Sequence, residues 1–147
     1  MISDISTVGA APALEMMLRF SGQRQKILAH NIANIDTPNF QARDVDPREF
    51  QQLLGDAIDK RRARNGGAFG ALEWRETREI TRARGSGELK LEPMTSSGGV
   101  LHHDRNDADL ERTMQDLVEN AAMYRVAADL LRAQRSTLQN AIAQRVL

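Results

Sequence analysis

The sequence predicts a mainly α-helical protein whose long N- and C-terminal helices pack as an elongated antiparallel coiled-coil hairpin, with a short helix and an irregular or weakly β segment between them. Three observations lead there. Only 33 of the 147 residues are Leu, Ile, Val or Phe, barely above the roughly one fifth at which disorder becomes the default, so a thick globular core is excluded. Nineteen alanines favour thin helices, because Ala forms helix readily but buries little surface. Seven of the ten glycines fall within residues 61–103, leaving both ends almost free of breakers. The expected division is 1–46 for the N-terminal helix and its turn, 47–105 for the short helix and Gly-rich middle, and 106–147 for the C-terminal helix.

Helix one is expected over residues 12–34. Pro12 suits the first helical position, where its missing N–H costs nothing. Steps of four and three give Leu14, Leu18, Ser21, Gln25, Leu28, Ile32 and Ile35, with Met17, Phe20 and Ile27 widening the stripe. This seam is apolar at both ends and polar at its centre. Thr37-Pro38 stops the helix, because proline drives the preceding residue out of helical geometry. Asn34 is placed to satisfy the last carbonyls or to turn left-handed, and Phe40 to pack back on Ile32 or Ile35. Asp46-Pro47-Arg48-Glu49 is a capping-box start, and Phe50, Leu53, Leu54, Ala57 and Ile58 carry a short amphipathic helix to about residue 60.

In the middle, Arg61-Arg62-Ala63-Arg64-Asn65-Gly66-Gly67 reads as a solvated loop. Leu72 and Trp74, then Leu89 and Leu91, alternate with polar residues and are expected to pair as a two-stranded ribbon. Asn106 begins helix two as its cap, and no Gly or Pro follows to the end of the sequence. Its stripe is Leu110, Met114, Leu117, Ala121, Tyr124, Ala128, Leu131, Arg135, Leu138 and Ile142. Some 38 residues span about 57 Å, against about 35 Å for helix one. The longer stripe cannot be covered by its partner alone, which implies an obligatory assembly.

The chemistry classes narrow quickly. Lys plus Arg equals Asp plus Glu at 20 each, so no general attraction to nucleic acid or anionic membrane follows. The charges are segregated, however: residues 60–90 hold nine basic and four acidic side chains, and 104–129 hold three basic and seven acidic. The absence of cysteine removes disulfides and thiolate chemistry. The opening MISDISTVGAAPALEMML has no basic region before an apolar run, and no stretch reaches the 18–20 apolar residues of a membrane span, so neither a cleaved leader nor a span is expected. His102, His103 and Asp104 are the only clustered ligand types, but adjacent residues rarely present two imidazoles to one ion, and His30 is distant. No phosphate-cradling glycine loop or serine elbow occurs. No catalytic residue, metal or cofactor is expected.

The run Arg24-Gln25-Lys26-Ile27-Leu28-Ala29-His30-Asn31-Ile32-Ala33-Asn34-Ile35-Asp36-Thr37-Pro38-Asn39-Phe40-Gln41-Ala42-Arg43-Asp44 resembles the N-terminal signature of the bacterial flagellar rod and hook proteins, Asn-Ile-Ala-Asn-x-x-Thr-Pro-Gly-Tyr. Its continuation Ala42-Arg43-Asp44-Val45-Asp46 is similar to the family's proximal rod member. Asp109-Leu110-Glu111, Met114, Leu117, Glu119-Asn120 and Tyr124 resemble the family's closing helix. Asn39 and Phe40 stand where glycine and tyrosine are usual, Pro47 where phenylalanine is frequent, and Arg105-Asn106-Asp107 where an Asp-Gly-Asn turn is common.

The resemblance implies a structural subunit of the proximal rod, assembled through its terminal helices into the shaft that transmits torque from the motor. Implied partners are other rod proteins, the membrane-ring and export-gate components at the rod base, and further copies of the chain, with no nucleic acid and no small-molecule substrate. It also implies a place in the basal body, reached through flagellar type III export without a cleaved signal. Leu14, Met17, Leu18, Phe20, Leu28 and Ile32 would then pack against Leu110, Met114, Leu117, Tyr124 and Leu131. Asn31, Asn34, Thr37, Pro38, Phe40, Arg43, Asp44 and Asn120 would serve the turn and the assembly. The competing readings are a small nucleic-acid-binding regulator using the basic loop Arg61, Arg62 and Arg64, and a coiled-coil export chaperone or secreted effector.

Overall fold

A computed structural model describes residues 7–95 and 110–144. Seven elements follow in chain order: α1 (Ala11–Ala33), β1 (Arg43–Asp44), α2 (Pro47–Asn65), β2 (Ile80–Arg82), β3 (Leu89–Leu91), β4 (Met94–Thr95) and α3 (Leu110–Gln144). The two long helices pack antiparallel. Arg135 of α3 reaches Glu15 near the start of α1, while Asp116 near the start of α3 reaches Arg24 further along α1. α3 has 35 residues and α1 has 23, about 52 Å against about 35 Å. Asn106, His102, His103 and Asp104 lie outside the described residues. No helix among the described residues is long and apolar enough to cross a membrane.

α1 is buried on two faces. One face meets α3, where Ala11 and Leu14 cluster with Ala127 and Leu131, flanked by Met17 and Leu18. The other supports the middle of the chain: Met16 and Phe20 join Val45, Phe50, Leu53, Leu54, Ile80, Leu89 and Leu91 in the larger core. Phe20 therefore does not belong to the α3 seam. It stacks on Phe50 of α2, with ring centroids 3.9 Å apart and planes 7° from parallel. The middle is folded back on α1 instead of projecting from it.

α2 starts as its capping residues require, with Asp46 Oδ1 accepting from the Arg48 N–H at 2.8 Å and Pro47 in the first turn. It runs five residues beyond the expected end at 60 and stops at Gly66, which takes the left-handed conformation (φ 70) of a helix C-cap. The segment read as a solvated loop is thus partly helix. Arg61 is buried there, and its guanidinium donates to the carbonyls of Thr7, Gly9 and Phe69 at 2.7, 2.6 and 3.3 Å. A polar head can be buried at that position because backbone carbonyls take up its N–H groups.

The strand pairing also differs from the expectation. β3 pairs antiparallel with β2, with Ile80 opposite Leu91 and Arg82 opposite Leu89, and β1 pairs with β4. Leu72 and Trp74 lie outside any strand and pack on the larger core as partly buried side chains. Alternation led to a strand at Leu72 and Trp74, but a strand also needs a partner, and Ile80-Thr81-Arg82 occupies the place beside Leu89 and Leu91.

Phe20→Ala is expected to lower stability by about 3–5 kcal/mol in urea unfolding, because it removes a ring that is fully enclosed on the second face of α1. Phe69→Ala, at a ring 61% exposed, should change it by less than about 0.5 kcal/mol.

Candidate functional site

Two features of the terminal helices stand out: a polar layer at the centre of the α1–α3 seam, and the turn that follows α1. Ser21 and Gln25, the polar residues that interrupt the helix-one stripe, meet Asn120 of α3. Asn120 is fully enclosed, and its Nδ2 donates to the Ser21 carbonyl at 2.9 Å and to Gln25 Oε1 at 2.8 Å. Its Oδ1 is buried without a hydrogen-bond partner. A layer of this kind costs stability yet favours one alignment of two helices, since sliding the seam would leave these groups among apolar neighbours.

Arg24 lies at the edge of the same seam. Its Nε and Nη2 donate to the two carboxylate oxygens of Asp44 at 3.0 and 2.6 Å, and Nη2 is 3.6 Å from Asp116. Burial opposes the charge, but hydrogen bonding and attraction to Asp44, with Asp116 behind it, outweigh that and raise the guanidinium pKa above its ordinary value. A raised arginine pKa means that deprotonation of Arg24 weakens the fold only in strong alkali, so the guanidinium stays charged at ordinary pH. Arg24 was quoted in the sequence only as part of a motif. The signal that marks it is a lone charge between Phe20 and Ile27 on an otherwise apolar face.

The turn is held by side chains that copy backbone pairing. Asn31 Nδ2 donates to the Arg43 carbonyl at 2.7 Å, and its Oδ1 accepts from the Arg43 N–H at 3.2 Å. Asn34 ends α1 without entering the left-handed region (φ −110), and its Nδ2 donates to the His30 carbonyl at 2.8 Å. Thr37 N–H donates to the Asn34 carbonyl at 2.9 Å and Phe40 N–H to the Thr37 carbonyl at 3.1 Å, with Thr37 and Pro38 exposed. Asn39 takes the left-handed conformation at φ 60, which Asn tolerates. Phe40 packs edge-on to the His30 ring, with centroids 5.9 Å apart.

On α3 the seam is rotated by one residue from the expected stripe. Thr113, Asn120 and Ala127 are buried where Met114, Ala121 and Ala128 were expected, and Leu117 and Leu131 are common to both sets. Leu110, Met114 and Tyr124 stay 44–52% exposed and so do not fill the intrachain seam; Tyr124 borders it, with its ring against Gly22. On α1, Leu28 is buried and Ile32 is partly so.

The basic loop Arg61, Arg62 and Arg64 is engaged within the chain. Arg64 pairs with Glu73 at 2.7 Å, Arg62 approaches Asp59 at 3.7 Å, Arg19 pairs with Glu88, and Arg61 is buried on carbonyls. A phosphate-tracking stripe needs these groups free.

Asp44→Ala is expected to lower stability by about 3 kcal/mol in urea unfolding at neutral pH, because it strands a buried guanidinium with only the more distant Asp116. Replacing Asp129, whose pairing with Arg132 is exposed, should cost less than about 0.5 kcal/mol.

The family of flagella basal body rod proteins matches residues 22–41, which span the second half of α1 and the Asn and Thr-Pro turn. The chain is 32% identical over 126 residues to the flagellar basal body rod protein FlgB of Salmonella typhimurium, covering 85% of this chain and 86% of that protein. It is 29% identical over 136 residues to FlgB of Yersinia ruckeri, covering 92% and 95%. With FlgB of Borrelia hermsii it shares 31% identity over 103 residues, covering 69% and 71%. These likenesses cover both terminal helices and the middle between them, and a chain so arranged belongs to the FlgB family of flagellar basal body rod proteins, structural components of the bacterial flagellum.

Proposed function

We propose that this chain is a subunit of the proximal rod, built into the shaft by its terminal helices and carrying torque through them. One observation carries the reading. Leu110, Met114, Val118, Ala122, Val126 and Leu130 form an unbroken ridge at four-residue spacing along α3, and all six are exposed. Ridges at that spacing are what one helix inserts into the grooves of another, and α1 occupies a different face of α3. Single exposed apolar residues need no explanation, but a contiguous row marks an interaction surface.

Other rod proteins and further copies of the chain are the natural cover. A contact of this kind that joins unlike surfaces repeats without closing and so builds a filament. At the rod base the neighbours include the membrane-ring and export-gate components, and delivery is through the flagellar type III route without a cleaved signal. The chain acts mechanically, with no catalytic step and no cofactor. Asn31, Asn34, Thr37, Pro38, Phe40, Arg43 and Asp44 shape the turn where subunits meet, while Leu14, Leu18, Leu28, Leu117, Asn120 and Leu131 align the hairpin. The engagement of Arg61, Arg62 and Arg64 within the chain argues against the nucleic-acid reading. An export chaperone would use the same exposed ridge to hold a client, and the fate of the chain separates the two.

Val118→Asp combined with Val126→Asp should leave helix content and urea midpoint of the full chain within error of the parent, because both side chains are more than half exposed. Recovery of the chain in purified basal bodies should fall at least tenfold, with loss of swimming. Normal incorporation of that variant would overturn the ridge as the assembly surface. Recovery of the parent chain with a soluble client, and never in basal bodies, would overturn the rod reading itself.

A further inference from the structure

On the side of α1 turned away from α3, a recess of about 610 Å3 is lined by Lys26, Ile27, His30, Asn31, Asn39, Phe40, Gln41, Arg43 and Pro93. Lys26, His30 and Arg43 are its titratable groups, and no carboxylate lines it. Lys26 and Arg43 are exposed and have no ion-pair partner among the described residues. The walls are built in advance. Asn31 holds the Arg43 backbone by two hydrogen bonds, and Phe40 stands against the His30 ring.

We infer that this recess receives an acidic segment of a neighbouring protein subunit, with one or two carboxylates against Lys26 and Arg43 and an apolar side chain on Ile27 and Phe40. The inference rests on the rod reading and names the chemistry of one contact within it. Complementary charge favours it: α3 presents the exposed Glu111, which α1 keeps from the recess of its own chain, so a neighbour can bring such an acid where its own subunit cannot. The apolar walls and the confined cluster of cations suit a peptide better than a nucleic-acid backbone, which needs cations spread along a track. Two desolvated charge pairs of this kind fix register and exclude partners that lack the acids.

Basal bodies purified with the full chain in place test this by zero-length carbodiimide coupling, followed by mass spectrometry of the digested particles. Lys26 should be recovered in an amide with an Asp or Glu of another subunit. Free Lys26 in untreated particles should acetylate at least tenfold more slowly than it does in the dissociated chain. Lys26→Glu combined with Arg43→Glu should lower incorporation at least fivefold, while Lys26→Arg should restore it to within twofold of the parent. The chain present in the particles with Lys26 uncoupled and acetylated at the dissociated rate would overturn the recess alone. Unaltered incorporation of the charge-reversed variant would do the same. Absence of the parent chain from the particles would overturn the rod reading, and this inference with it.

Discussion

Arg24 ties together all three parts of the molecule. It projects from α1, is held at both carboxylate oxygens of Asp44 in β1, and lies within ion-pair reach of Asp116 in α3. Burying a guanidinium is costly, and the cost is offset only when both carboxylates stand where they do. That demand couples the azimuth of α3 to the position of the segment after the turn. The neighbouring Ser21, Gln25 and Asn120 layer adds the same constraint along the helix axis. A thin seam rich in alanine has little shape to define its register, and polar groups that must meet supply what apolar bulk does not.

The second face of α1 works by a related economy. Strands of two and three residues make few ladder hydrogen bonds and are marginal alone. Side-chain amides of α1 complete them. Gln23 accepts from the Leu91 N–H at 3.0 Å and donates to the Leu89 carbonyl at 2.7 Å along β3, as Asn31 does for Arg43 in β1. A polar residue on a helix thereby takes the place of a missing strand, and Ile27 between these amides packs, with Phe20, on the sheet-bearing core. The middle is therefore anchored to the helix that also forms the seam.

What remains uncovered follows from lengths and faces. α3 outruns α1 and carries apolar residues around much of its circumference, so a single partner helix leaves a row of them in solvent. Any partner that buried such a row would add to the stability of the chain.

The local signals in the sequence were sufficient for whatever depends on a few consecutive residues. Pro12, Asp46-Pro47 and Thr37-Pro38 placed helix boundaries to within a residue or so, and the stripe from Leu14 through Ser21 and Gln25 to Ile32 named the face of α1 that meets α3. Left-handed geometry at Asn39 is permitted by the short polar side chain there. Other features belong to the tertiary structure alone. The stripe on α3 is rotated by one residue because Leu117 and Leu131 are compatible with two adjacent faces, and only the need of Arg24 and Ser21 for Asp116 and Asn120 chooses between them. The helical extension through Arg61 and the pairing of β2 with β3 likewise depend on carbonyls and strands distant in sequence. Periodicity determines which residues share a face, while the partner of each face is decided by the polar groups that burial obliges to meet.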